Sequence, residues 1–129
     1  MSSRRGLAYQ YVVLRCVPRP DREEFVNVGV VVFCEEERFL DVACRVDESR
    51  LAALDSRLDL AQVRAGLEFV SRVCAGDAVA GDASRAPLGQ RFGFLRAPRS
   101  TVIQPGPVHG GLTSDPARQL EHLLERLVG

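Results

Sequence analysis

Residues 25–34 read FVNVGVVVFC, an apolar run broken only by Asn27 and Gly29. Successive side chains on a strand point to opposite sides, so a strand with one wet face alternates apolar and polar residues. A strand covered on both faces has no such need and reads as unbroken apolarity. Residues 25–34 are therefore expected to form a central strand with two dry faces. Upstream, residues 8–17 (AYQYVVLRCV) are rich in β-branched and aromatic side chains and end at Pro18 and Pro20, which marks a second strand. On it Tyr9, Tyr11, Val13, Arg15 and Val17 share one face, and Val12, Leu14 and Cys16 share the other. Downstream, Glu35, Glu36 and Glu37 form a solvated loop. Leu40, Val42, Cys44 and Val46 then alternate with Arg38, Asp41 and Arg45, as a hairpin partner does.

Beyond residue 46 the period changes. Asp47 caps a short helix to about Asp55, with Leu51 and Leu54 inward. Asp59 opens a longer helix in which Leu60, Val63, Leu67, Val70 and Cys74 step by three and four, an amphipathic stripe that Gly76 ends. Residues 76–90 are small and polar and read as a mobile loop; residues 1–6 read as a frayed tail. Residues 91–95 (RFGFL) are a short aromatic segment of undecided type. Residues 100–104 (STVIQ) supply a further strand, and Pro105, Gly106, Pro107, Gly110 and Gly111 enforce a loop around Val108 and His109. Asp115 and Pro116 start a closing helix with Leu120, Leu123, Leu124 and Leu127 on its apolar face. The expected fold is one α+β domain over residues 1–129. Its antiparallel three- to four-stranded sheet is packed by two main helices, 59–76 and 115–128, on one face. The other face is either solvated or hidden in a dimer.

The chain has 129 residues, 17 basic and 17 acidic, and every basic residue is Arg. Zero net charge argues against a nucleic-acid binder that works by bulk electrostatics. No apolar run is long enough for a signal peptide or membrane span. Cys16, Cys34, Cys44 and Cys74 lack metal-site spacing and read as small core residues of a reducing, cytoplasmic setting. No cofactor and no metal is expected, and no catalytic residue is assigned.

Two clusters stand out. Arg15 lies mid-strand among apolar residues, and Asn27 interrupts the most apolar run. Burying either is costly without a partner. Asp41, Arg45, Glu23 and Glu24 are candidate partners in a structural ion pair with a bulge at residues 27–29; the alternative is an anion or partner site on the sheet. The second cluster is Arg99, Ser100 and Thr101, with Gln104 and His109 nearby. Consecutive guanidinium and hydroxyl groups in a loop can hold a phosphate or a carboxylate; equally, they make a polar turn before a strand.

The stretches YQYVVLRCVPRPDREEFVNVGVVVF and RSTVIQPGPVHGGLTSDPARQLEHLLERL resemble an uncharacterised bacterial domain-of-unknown-function family, number 3037. The distinctive phrases are R-x-E-F-V-N-V-G-V-V and R-S-T-V-I-Q-P…D-P. The resemblance covers about Tyr9 to Leu127 and implies no reaction. It does imply a kinase-like protein encoded nearby. The expectation is thus a non-catalytic accessory domain that docks another protein, kinase-like or a second copy of itself. The alternative is a small enzyme or ligand-binding protein for a phosphorylated or carboxylated molecule, using Arg15, Arg99, Ser100 and His109 in one pocket.

Overall fold

The computed structural model describes residues 6–77, 85–98 and 101–129. The central strand is there. Strand β2 (Val26–Cys34) runs between β1 (Leu7–Cys16) and β3 (Phe39–Cys44), antiparallel to both. Every residue from Val28 to Cys34 is buried. Two further strands, β4 (Ile103–Pro105) and β5 (His109–Thr113), pair antiparallel with opposite ends of β1. They are two halves of one irregular edge ribbon. Pro105 and Pro107 interrupt it, and the Gly106 amide still donates to the Val13 carbonyl at 2.8 Å. Among the described residues the sheet thus has five strands. His109 to Thr113, read from sequence as loop, gains its strand geometry from pairing with Leu7 to Tyr11.

Four α-helices lie among the described residues: α1 (Glu48–Leu54), α2 (Leu60–Ala75), α3 (Leu88–Leu95) and α4 (Pro116–Leu127). Asp47, Asp59 and Asp115 cap α1, α2 and α4 by accepting from the amides of Arg50, Ala61 and Arg118, which satisfies one orphan donor at each N-terminus. Gly76 closes α2 at φ 75°, a left-handed position that suits glycine. The aromatic segment at 91–95 is helical, and Leu88 to Gln90, expected in a mobile loop, form its first turn. Residues 78–84 of that loop and the tail at 1–5 lie outside the described residues.

The two main helices do not share a face, contrary to the expectation from sequence. Val12, Leu14, Cys16, Val28, Val31 and Phe33 pack with α1, α2, α3 and β4 on one side. Leu7, Tyr9, Val30, Val32 and Cys34 pack with Leu120, Leu123 and Val128 of the α4 segment on the other. This is why β2 is dry twice over: each of its faces belongs to a separate core. Burying a single Val contributes roughly 1.5–3 kcal/mol, so both α2 and α4 have a strong reason to dock on this strand. Cys44, expected in the core, is exposed; Cys16, Cys34 and Cys74 are buried, and all four thiols are free.

Among the described residues no helix is long and apolar enough to cross a membrane.

Candidate surface around Arg15 and the beta5 edge

Between Leu14 and Arg15 the pairing of β1 with β2 slips by one residue. Leu14 faces Gly29 while Arg15 faces Asn27, which leaves Val28 as the extra residue of a β-bulge. Val28 and Gly29 both turn toward the α2 side. A Cβ on Gly29 would stand 3.0 Å from the Ala43 carbonyl, so the strands approach there more tightly than a side chain comfortably allows. The slip sends Asn27 to the α4 side. Its Nδ2 donates to the Leu127 carbonyl at 3.0 Å, and Arg50 Nη1 donates to the Val128 carbonyl at 3.1 Å. These two contacts satisfy carbonyls that the end of α4 leaves without intrahelical partners. Asn27 is therefore a fastening for α4, at the bulge expected over residues 27–29. Its Oδ1 is buried with no donor among the described residues.

Arg15 lies on the same face, directly across from Asn27 on one side and Gln104 on the other. None of the expected carboxylates meets it. Glu24 pairs with Arg22 at 3.0 Å, Asp41 accepts from the Val42 amide, and Arg45 pairs with Glu125 at 3.6 Å. Instead the guanidinium carbon sits 4.2 Å from the centroid of the Phe25 ring, a cation–π contact. Gly106 leaves it room: a Cβ there would come within 3.1 Å of Cζ. The Arg15 Nε is buried with no acceptor among the described residues. Phe25 and Gly106 were not singled out from sequence. The only available signal was that the hairpin register brings the start of β2 alongside the end of β1.

His109 opens β5 opposite Tyr11 and stacks on it at 5.2 Å; Tyr11 in turn stacks on Tyr9 at 6.0 Å. Burial, with Tyr11 adding to it, raises the Tyr9 phenol, while a hydrogen bond with Gln119 and the charge of Arg126 lower it in part. His109 and Arg15 share a face, but the register puts four steps of β1 between them, about 14 Å at a strand rise near 3.4 Å. No side-chain hydrogen bond spans that gap. Thr101 is occupied locally: its Oγ1 donates to the Ile103 carbonyl and accepts from the Ile103 amide, and its own carbonyl accepts from Gln104. Arg99 and Ser100 lie outside the described residues.

Elsewhere the surface offers clefts of mixed lining: Arg19, Arg22, Glu24, Asp55 and Arg57 line one of about 350 Å³. The one of about 590 Å³ between α2 and residues 17–20 is lined by Val17, Pro18, Pro20, Gln62, Ala65 and Gly66 together with Thr101 and Val102, none of them ionisable. Arg91, another residue that sequence reasoning passed over, donates to the carbonyls of Val73, Cys74 and Ala86 and so fastens α3 to the end of α2. Among the described residues no group of three or more His, Cys, Asp or Glu could hold a metal ion.

No curated protein and no solved structure matches the chain. One family does, described as a protein of unknown function (DUF3037), over residues 11–128, a span that takes in the sheet, all four helices and both Arg15 and the β5 edge. The chain belongs to that family.

Proposed function

We propose that this domain is a non-catalytic interaction module that docks another protein along β5. The observation that carries this is the condition of that edge. β5 pairs with β1 and with no other described strand, which leaves one row of its amides and carbonyls open. Its Leu112 is 70% exposed. Pro105 and Pro107 have no amide proton to offer, so they blunt the adjoining ribbon and leave 109–113 as the stretch able to accept a strand. The opposite edge, β3, is guarded differently: exposed Arg38, Asp41 and Arg45 line and flank it, a protection typical of edges that must stay alone. An open edge bearing an exposed leucine suits strand addition, in which backbone pairing supplies affinity and alternate side chains supply selectivity.

The first candidate partner is a kinase-like protein encoded nearby; a second copy of the chain, pairing β5 with β5 about a two-fold axis, is the other. The test is the mass of the protein in solution, alone and with the kinase-like candidate. A complex at micromolar concentration is expected, with Leu112→Asp weakening it at least tenfold while the circular dichroism stays unchanged. A monomer that forms no complex overturns the proposal.

A further inference from the structure

We infer that Arg15 is a carboxylate site: its guanidinium anchors an Asp or Glu side chain, or a chain-terminal carboxylate, carried by the docked partner. The inference rests on the docking reading and adds the chemistry of the contact. A half-buried charge in the middle of a sheet is normally paired. Arg15 has no hydrogen-bond acceptor and no counter-ion among the described residues, and nearby in sequence Asp21 and Glu24 are engaged with Arg19 and Arg22. The cation is nevertheless held in place. The Phe25 ring lies 4.2 Å from Cζ, and the bare backbone of Gly106 makes the space. Such a fork has lost much of its freedom before any ligand arrives, which lowers the entropic cost of binding.

The open edge of the fork follows from burial. Nε is buried, whereas the two terminal nitrogens are not among the buried unpartnered atoms. They present the parallel donors that take both oxygens of a carboxylate. The surroundings select the charge. Half-buried Tyr11 and Val13 lie on the same face, and Phe25 is 43% exposed. A single guanidinium flanked by the neutral amides of Asn27 and Gln104 and by this apolar surface matches a single negative charge, whereas a phosphomonoester, with nearly two charges and three acceptor oxygens, would be left undersupplied.

The test follows the Arg15 side-chain N–H resonances of the full chain during titration with four probes. Three are blocked pentapeptides of alternating valine and threonine with a central glutamate, glutamine or phosphoserine; the fourth is sodium acetate. The glutamate peptide should shift the Arg15 signals and bind at least tenfold tighter than the glutamine peptide. It should also bind at least fivefold tighter than acetate, and at least fivefold tighter than it binds Arg15→Lys or Gly106→Ala protein. An absent Arg15 shift, or equal binding of the glutamate and glutamine peptides, overturns the inference. So does tighter binding of the phosphoserine peptide, which would make this a phosphate site, or of acetate, which would replace the partner by a free small molecule. The docking reading is read separately: a partner complex indifferent to Arg15→Lys but lost in Leu112→Asp sinks the anchor alone. Glutamate binding at Arg15 in a chain that forms no complex sinks the docking edge alone.

Discussion

Gly66 and Gly93 both sit inside helices, where a methyl group adds up to about 1 kcal/mol of helix propensity. Their surroundings decide opposite outcomes. A Cβ on Gly66 would stand 2.7 Å from Cγ1 of buried Ile103, whereas one on Gly93 would meet nothing within 4 Å. Because overpacking a core costs roughly 1–3 kcal/mol, Gly66→Ala should lose about 1–2 kcal/mol net, and Gly93→Ala should gain about 0.5–1 kcal/mol. Urea midpoints at unchanged slope check both signs. The thiols set a pH dependence. Burial pushes Cys74 up to about 12, with Asp41 adding to it and Arg91 opposing it. Burial, again with Asp41, pushes Cys44 to about 11. Cys44 is exposed as a residue, although its Sγ lies 3.4 Å from where a Gly29 Cβ would stand, so Cys74 carries the firmer expectation. Below pH 9 both folded and unfolded chains keep the proton and these groups leave stability unchanged. Above it the unfolded chain releases protons that the folded one retains, so stability falls from pH 9 towards 12. The slope is on the order of 1 kcal/mol per pH unit for Cys74. Urea unfolding at pH 8, 9 and 10 should show this fall, and Cys74→Ala should make it shallower, leaving the share that Cys44 carries; a slope unchanged by the substitution would place its origin elsewhere.

At the level of elements, what could be read from sequence was what local periodicity encodes. β2 announced itself by continuous apolarity, α2 by its three-and-four stripe, and α4 by the Asp-Pro start and its leucines. What could not be read was which surface a stripe would meet. The leucines of α4 require a dry face but do not say which side of the sheet supplies it. That is settled by contacts such as Asn27 with the Leu127 carbonyl, 100 positions apart in the chain. β5 was hidden because Gly110 and Gly111 have turn chemistry, and only the partner strand makes them extended. α3 was hidden because it is one short amphipathic turn pair without a side-chain cap, held by Arg91 on α2. Arg15 and Asn27 were legible as anomalies, polar residues in apolar runs. Their roles were not, since both are defined across the fold: Asn27 by the end of α4, and Arg15 by Phe25 and Gly106.

In the whole molecule one strand serves two cores. Val28, Val31 and Phe33 of β2 belong to the α2 side, and Val30, Val32 and Cys34 to the α4 side. Neither helix can leave without stripping a face of the strand that the other needs, and Arg50 of α1 ties the two sides again at Val128. The domain should therefore unfold as one unit, as single domains below 150 residues usually do. Val63→Ala, at a fully buried site on α2, should cost about 1–3 kcal/mol, and Leu123→Ala, buried on α4, about 2–4 kcal/mol, with the spread set by how far each cavity collapses. Because the two sites lie on opposite faces with no shared partner side chain, their costs should add within about 0.5 kcal/mol in the double variant. Helical circular dichroism reports both sides of the sheet, whereas near-ultraviolet signals from Tyr9 and Tyr11 report the α4 side. The two should trace one coincident urea transition in each variant. A separate early step in Leu123→Ala, with α4 melting while α2 persists, would show that the strand does not couple its two faces and that the α4 side is an independent cover.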